Sequence, residues 1–226
     1  MEEIELLRRR MSSSDTGVRK AAVWQMIDCV PDEAVPVLTH ALDDSAPSVR
    51  AAAAFALRKA RVPDAVTALL RILANERDDR VRCTVASALA LSEMPVPVDP
   101  LIVALEDTSV SVRAWACRAL ARHGGKAVSG ILCQSLSDRA PSVRHAACVA
   151  LVELGISDQR ILDTLSDLER DESWLHQVQE VRKVVLTVSS QPGLEHLWPV
   201  ELGDPAPESL SDLADAEQRL LDESDR

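Results

Sequence analysis

The sequence predicts an all-α fold, a solenoid of about six helical hairpins, and two observations support this prediction. A Val-Arg pair recurs five times, with its valines at positions 18, 49, 81, 112 and 143, so that the copies stand 31, 32, 31 and 31 residues apart. Apolar residues before and after each pair recur at helical spacing, which gives two amphipathic helices per period. A hairpin of this length cannot bury its own apolar stripe, and neighbouring hairpins are expected to stack into a shared core.

The second copy of the repeat illustrates both helices. After Val49, small or aliphatic residues follow at Ala53, Ala56 and Leu57, on one helical stripe. Before Val49, the matching stripe consists of Leu42, Leu38 and Val35. Each Val-Arg pair therefore opens the second helix of a hairpin, and the first helix precedes it.

These repeats resemble the HEAT-repeat family, specifically the short type called phycobilisome-lyase HEAT-like repeats. The resemblance is carried by an acid six residues before the arginine of the motif: Asp44 with Arg50, Glu76 with Arg82, Asp107 with Arg113 and Asp138 with Arg144. It implies a right-handed α-solenoid in which these residues form a hydrogen-bonded ladder between successive hairpins. The resemblance covers residues 1 to about 190 and points to a fold more than to a function, because this scaffold hosts many activities.

Taken in order, the chain is expected to begin its array at once. The pattern assigns the following ranges: a first helix at 2–13, its partner at 17–28, hairpin two at 32–60, hairpin three at 64–91 and hairpin five at 126–154. The proline-rich connection at 93–100 predicts a short first helix in hairpin four. The pair Gly124-Gly125 predicts the end of that hairpin, because glycine favours a helix C-terminus.

The last repeat departs from the motif. One period after Val143 stands Trp174, and Leu175 replaces the arginine. A hairpin without a following neighbour needs no ladder arginine, so residues near 158–190 are interpreted as a cap that completes a repeat domain over 1–190. Residues 191–207 are rich in Pro and Gly and predict a linker, and residues 208–226 predict an acidic amphipathic helix or tail.

Composition excludes several classes of partner. The formal net charge is −11, which disfavours binding to nucleic acid or to an anionic membrane, since both rely on Lys and Arg. No run of 18 apolar residues predicts a membrane-spanning helix, and the N-terminus lacks the pattern of a secretory signal. The five cysteines are odd in number and include no C-x-x-C spacing, which favours a reducing, cytoplasmic location.

The sequence shows no catalytic constellation, so the chain is predicted not to be an enzyme. None of the five histidines lies three or four residues from another on one helix, and no metal site is predicted. There is no phosphate-binding glycine loop and no G-x-S-x-G motif, and no cofactor is predicted.

The leading hypothesis is a protein-interaction scaffold that binds a partner peptide or helix on the concave face of the array. In repeats of this type the second helices line that face, and residues 2, 3, 6 and 10 after the valine point into it. The candidate binding residues are Lys20, Trp24, Phe55, Lys59, Trp115, Arg118, Arg122 and His145. Aromatic residues and arginine are enriched at binding hot spots. The alternative is that Trp24, Phe55 and Trp115 only fill gaps between small residues of neighbouring hairpins.

Three further hypotheses concern partners. The tail stretch Leu210–Leu221 could dock in the chain's own groove or in that of a second copy, because its acidic amphipathic pattern complements the groove. Similarity to bilin lyases and phycobiliprotein chaperones would make the groove a tetrapyrrole or phycobiliprotein site. HEAT-like DNA glycosylases have a similar length, but they need a basic surface that this acidic chain lacks.

Overall fold

The computed structural model describes residues 2–26 and 34–190, and all regular structure in these ranges is helical. The α-helices are α1 Glu2–Met11, α2 Thr16–Trp24, α3 Val35–Ala41, α4 Pro47–Leu57, α5 Pro63–Asn75, α6 Asp79–Ala90, α7 Val98–Ala104, α8 Val110–Gly124, α9 Ser129–Ser135, α10 Pro141–Glu153, α11 Gln159–Leu168 and α12 Leu175–Ser190. Contacts pair α1 with α2, α3 with α4, α5 with α6, α9 with α10 and α11 with α12 as hairpins, and α7 and α8 take the corresponding places in the chain order. The predicted all-α repeat array is therefore confirmed, whereas its right-handed sense stays a prediction.

Local sequence explains where the helices begin and end. The side chains of Asp15, Asp78 and Asp158 accept hydrogen bonds from backbone N–H groups in the first turns of α2, α6 and α11. Proline opens α4, α5 and α10, where a backbone N–H would have no helical partner. Gly125, at the end of α8, has φ 57° and Gly155, after α10, has φ 70°, a conformation that glycine adopts without strain.

The described chain divides into two compact units, Met1–Pro100 and Leu101–Arg226. The division falls in the proline-rich connection, and α7 there is only seven residues long, as predicted. The linker at 191–207, the tail at 208–226 and Asp28 of the predicted first hairpin lie outside the described residues.

In the first unit, α4 packs between α2 and α6, while α1, α3 and α5 pack as the first helices of their hairpins. The motif valines Val49 and Val81 are fully buried in this unit. Small residues such as Ala53 and Ala86 let the second helices approach closely.

In the second unit, α8 and α10 form the most extensive helix pair, and α10 also packs against α11 and α12. Leu120, Leu151 and Leu165 are among its fully buried side chains. In both units the second helices thus lie side by side and carry most of the core.

Candidate functional site

The acids and arginines of the repeat motif form bidentate ion pairs within each unit. Each arginine donates from both Nε and Nη2 to the carboxylate of the following hairpin: Arg19 to Asp44 at 2.7 and 2.8 Å, Arg50 to Glu76 at 2.6 and 3.0 Å, and Arg113 to Asp138 at 2.8 and 3.0 Å. These contacts join successive hairpins, which is the geometry that the resemblance implied.

The side chains that pair in the ladder are not the acid and the arginine that stand six residues apart in the sequence. The arginine six residues after Asp44, Glu76 or Asp138 does not bind that side chain, because the carboxylate pairs with an arginine of the preceding hairpin, Arg19, Arg50 or Arg113. It binds the backbone of that acid instead: Arg50 Nη1 donates to the Asp44 carbonyl at 2.8 Å, and Arg113 Nη1 donates to the Asp107 carbonyl at 2.8 Å. Arg82 and Arg144 bind the carbonyls of Glu76 and Asp138 in the same way.

The sequence analysis also missed Arg19 as a ladder residue. Ser13 stands where the other hairpins carry an acid, so the acid-to-arginine spacing failed to select this copy. Its side chain nevertheless binds Asp44 and the carbonyls of Ser13 and Ser14. The Val-Arg motif alone would have found it.

Burial and hydrogen bonding shift the pKa values of the ladder acids in opposite directions. The guanidinium of Arg19 lowers the pKa of Asp44, and that of Arg50 lowers the pKa of Glu76, although desolvation opposes both shifts. At Asp138, burial opposes ionisation most strongly, but hydrogen bonds from Arg113 and from the Ala140 N–H lower the pKa overall. The ladder acids are therefore ionised at neutral pH and hold the hairpins together.

The ladder ends at hairpin six. Among the described residues, Arg144 has no carboxylate partner and binds only the carbonyls of Asp138 and Arg139. Glu169, the acid at the ladder position, instead pairs with Arg182 of its own hairpin at 2.9 Å. The missing rung fits the interpretation of hairpin six as a cap.

A half-buried cluster of aromatic and cationic side chains lies on the second helices of the first unit. The ring centroids of Trp24 on α2 and Phe55 on α4 are 5.8 Å apart at a tilt of 36°. The Arg58 guanidinium carbon lies 4.2 Å from the Phe55 centroid, a cation–π distance. We call Trp24, Phe55 and Arg58 the aromatic strip.

Two predicted binding residues flank the aromatic strip. Lys20 lies one helical turn before Trp24 on α2 and is half-buried, and Lys59 lies one turn after Phe55 and is exposed. The sequence analysis had missed Arg58, because it considered only fixed positions after the valine. The three-residue spacing between Phe55 in the last turn of α4 and Arg58, the C-cap residue of that helix, is the signal that could have found it.

Trp115 is not a surface anchor, which corrects the expectation that it lines an open face. It is 1 % exposed, and its indole Nε1 has no hydrogen-bond partner among the described residues. The reason is its place in the repeat. The third residue after the valine is also buried in copies two, three and five, as Ala52, Thr84 and Ala146, whereas Ala21 of the first copy is exposed, so this position faces the interior in the inner repeats.

His145 is buried as well, at 3 % exposure, and the expectation of a binding role at the surface is wrong for it too. Its ring lies 5.3 Å from that of Trp174, so hairpin six covers it. Burial lowers its pKa to about 4, although the backbone of Gln177 opposes this shift. Neither ring nitrogen makes a hydrogen bond of good geometry to a described residue.

The two remaining candidates, Arg118 and Arg122, lie on α8. Arg118 is half-buried with its guanidinium carbon 5.6 Å from the Trp115 centroid, and Arg122 is exposed. Both oppose the rise that burial causes in the pKa of Glu153 on α10. Arg118 and Arg122 therefore already lie near a carboxyl group of their own unit, that of Glu153.

Within residues 2–26 and 34–190, no group of three or more His, Cys, Asp and Glu side chains could hold a metal ion. No helix in the same ranges is both long enough and apolar enough to cross a membrane.

The profile of the HEAT repeats matches residues 4–90 and 98–183, which is most of the chain. The chain belongs to the HEAT-repeat family. This assignment explains the register of the buried valines and the ladder that links the hairpins. No protein with a curated description matches the sequence.

Solved structures agree on the fold. The chain is similar to one engineered protein at 21 % identity and a TM-score of 0.51, covering 84 % of this chain and 98 % of the other. A second engineered protein gives 22 % identity and a TM-score of 0.50, covering 90 % of this chain and 62 % of the other. The complex of CpcE and CpcF of phycocyanin lyase from Nostoc sp. PCC7120 matches at 20 % identity and a TM-score of 0.41, covering 82 % and 94 %.

Proposed function

We propose that this HEAT-repeat protein is a cytoplasmic, non-enzymatic interaction scaffold that binds an acidic peptide or helix on the aromatic strip of its first unit. The observation that carries the proposal is the state of Arg58. Its guanidinium is half-buried against Phe55, and among the described residues it has no carboxylate partner. The ladder arginines Arg19 and Arg50, by contrast, are satisfied by acids of the next hairpin.

A guanidinium stacked on a ring is well suited to bind a carboxylate. Stacking fixes the plane of the fork, so less conformational entropy is lost when two parallel hydrogen bonds form. Such bidentate, charge-assisted pairs are stronger than bonds between neutral groups. Arg58 would bind an Asp or Glu of the partner in this way.

The rings of Trp24 and Phe55 supply the apolar part of the site. Both residues are half-buried, so each keeps part of its surface open to solvent, although the Nε1 atom of Trp24 is buried and has no hydrogen-bond partner among the described residues. An apolar side chain of the partner, one helical turn from its acid, would cover this exposed part. Rigid aromatic contacts of this kind bind with little loss of side-chain entropy.

The positive charge of Lys20 and Lys59 extends the field of the strip along α2 and α4. On a protein of net charge −11, such a patch steers an acidic ligand toward one face rather than another. The predicted acidic tail at 208–226 has this chemistry, and we propose it as one ligand of the strip, in its own chain or in a second copy.

The test is a peptide-display selection on the full-length protein. The proposal predicts that selected sequences carry Asp or Glu about one helical turn from an apolar residue, and that Arg58→Glu abolishes their binding. Arg80→Glu is the matched control, since Arg80 is exposed on α6 and has no ring contact among the described residues. Selected peptides that bind Arg58→Glu as tightly as the wild type would contradict the proposal.

The bilin-lyase and DNA-glycosylase hypotheses stay predictions of the sequence resemblance. Neither has a feature of the described residues in its favour comparable to the aromatic strip. Absorbance of a tetrapyrrole retained by the purified protein would be the result that favours the bilin hypothesis.

A further inference from the structure

Hairpin one exposes a side chain that the other hairpins bury. Val18 is 40 % exposed, whereas the equivalent motif residues Val49, Val81 and Val143 are at most 1 % exposed. In a stacked array each hairpin contacts only its neighbours. Val18 therefore leaves apolar surface uncovered where the equivalent valines are buried.

The first helix of the same hairpin exposes a second apolar residue. Leu6 is 46 % exposed, while Val37, Pro100 and Ile131 at the same distance before their valines are half-buried. Leu7, next to it, points into the core at 3 % exposure. Two apolar side chains therefore face outward from the N-terminal hairpin.

Charged residues surround Leu6 in a self-complementary order. Glu5, Leu6, Arg8, Arg9 and Ser12 line one shallow face of α1. The acid precedes Leu6 and the arginines follow it. The intrahelical pair of Glu5 and Arg8 is long, at 3.6 Å, and both side chains are more than half exposed, so it holds these charges only weakly. We call these five residues the N-terminal end face.

We propose that the N-terminal end face is a homodimer interface, in which the α1 helices of two copies pack antiparallel about a twofold axis near Leu6. Antiparallel packing places Glu5 of each copy beside Arg9 of the other, because these residues lie at similar distances on either side of residue 7. The same arrangement places each Leu6 one residue from the axis, beside Arg8 of the other copy and close to the other Leu6. A twofold interface requires such self-complementarity.

A second copy fits this face better than a further repeat stacked head to tail. Continuation of the ladder needs an acid on the incoming side and an arginine on the outgoing side. Hairpin one carries Ser13 in place of the acid, and hairpin six carries Leu175 in place of the arginine. A head-to-tail contact would therefore lack its rung on both sides, whereas the antiparallel contact supplies two ion pairs.

The expected interface is small, so the dimer should be weak and concentration-dependent. Sedimentation velocity on the full-length chain, from about 1 µM to about 1 mM, should show a species of twice the 24.6 kDa chain mass. Leu6→Asp should raise the dissociation constant about tenfold or more. The control is Val103→Asp on α7, an exposed apolar site of the second unit, which should leave the dissociation constant unchanged.

Charge reversal gives a test that does not depend on the folding of any one variant. Glu5→Arg alone and Arg9→Glu alone should each be monomeric, because each places like charges opposite one another. An equimolar mixture of the two variants should form a heterodimer, since positions 5 and 9 then carry opposite charges at both contacts across the axis. Circular dichroism of each variant verifies that the helices are retained.

Three results would overturn the inference. The first is a monomer at every concentration, and the second is a dimer that Leu6→Asp does not weaken. The third is a mixture of the charge-reversed variants that stays monomeric while the wild type dimerises. None of them affects the proposed function, because the aromatic strip uses Trp24, Phe55 and Arg58.

Discussion

The two units of the chain place their large aromatic side chains differently. In the first unit, Trp24 and Phe55 are half-buried and meet across two second helices, with Arg58 stacked on the ring. In the second unit, Trp115 is 1 % exposed, and His145 is covered by Trp174. Similar residue types thus build a surface in one unit and a core in the other.

Part of the difference comes from the position in the repeat. Trp24 and Phe55 are the sixth residue after the motif valine and are half-buried, as is Arg118 at that position, whereas the smaller Ser87 and Val149 there are buried. Trp115 is the third residue, which packs against the adjacent second helix. Composition alone therefore does not identify a binding face in this family, because three residue positions separate an anchor from a core side chain.

The largest effect that tests this contrast is expected for Trp115→Ala. Truncation of a buried tryptophan leaves a cavity and costs about 3–5 kcal/mol in the free energy of unfolding. Trp24→Ala removes a half-buried ring and should cost clearly less. Urea denaturation monitored by circular dichroism measures both. Equal losses for the two variants would mean that the units do not differ as described.

The second effect is a pH dependence of the free energy of unfolding, which arises from His145 in the second unit. The pKa of His145 is lowered by burial from 6.5 to about 4, so the unfolded chain binds more protons than the folded chain between these values. Its contribution to stability is complete above pH 6.5 and is lost as the pH falls through 4. The loss amounts to as much as roughly 3 kcal/mol.

His145→Phe isolates this contribution, because it keeps a ring against Trp174 and removes the titration. The free energy of unfolding of the wild type should fall relative to that of the variant as the pH is lowered from 7 to 4. Parallel pH profiles for the two proteins would show that His145 is not buried in its neutral form.

A third, smaller difference in the free energy of unfolding is expected between a ladder arginine of an inner hairpin and the arginine at which the ladder ends. Arg113→Ala should cost roughly 1 to 3 kcal/mol, because it leaves Asp138 partly buried without its bidentate partner. Arg144→Ala is the matched control and should cost less, because Arg144 binds only two carbonyls among the described residues. Thermal melting compares them, and a neutral Arg113→Ala would refute the ladder.

Much of the fold follows from the sequence because the repeat positions are locally determined. The motif valines, the helix-opening prolines and the two glycines at the ends of α8 and α10 act within one or two turns of chain. The short α7 follows likewise from the prolines around Val98. Local signals of this kind need no knowledge of the neighbouring hairpin.

The candidate site was predicted less well, because exposure depends on contacts between hairpins. Nothing near His145 in the sequence indicates that Trp174, one period later, covers it. The ladder partner of Arg50 is Glu76, and the acid six residues earlier offers only its carbonyl. Arg58 was missed because its role depends on the ring of Phe55 rather than on a repeat position.

Hydrogen–deuterium exchange of the full-length protein, with and without a display-selected acidic peptide, tests most directly whether the aromatic strip is the binding site. Binding on the aromatic strip should slow exchange in α2 around Trp24 and from Phe55 in α4 to Arg58 just after it, with no change in α8 around Trp115. Protection of α8 with none in α2 and α4 would contradict it.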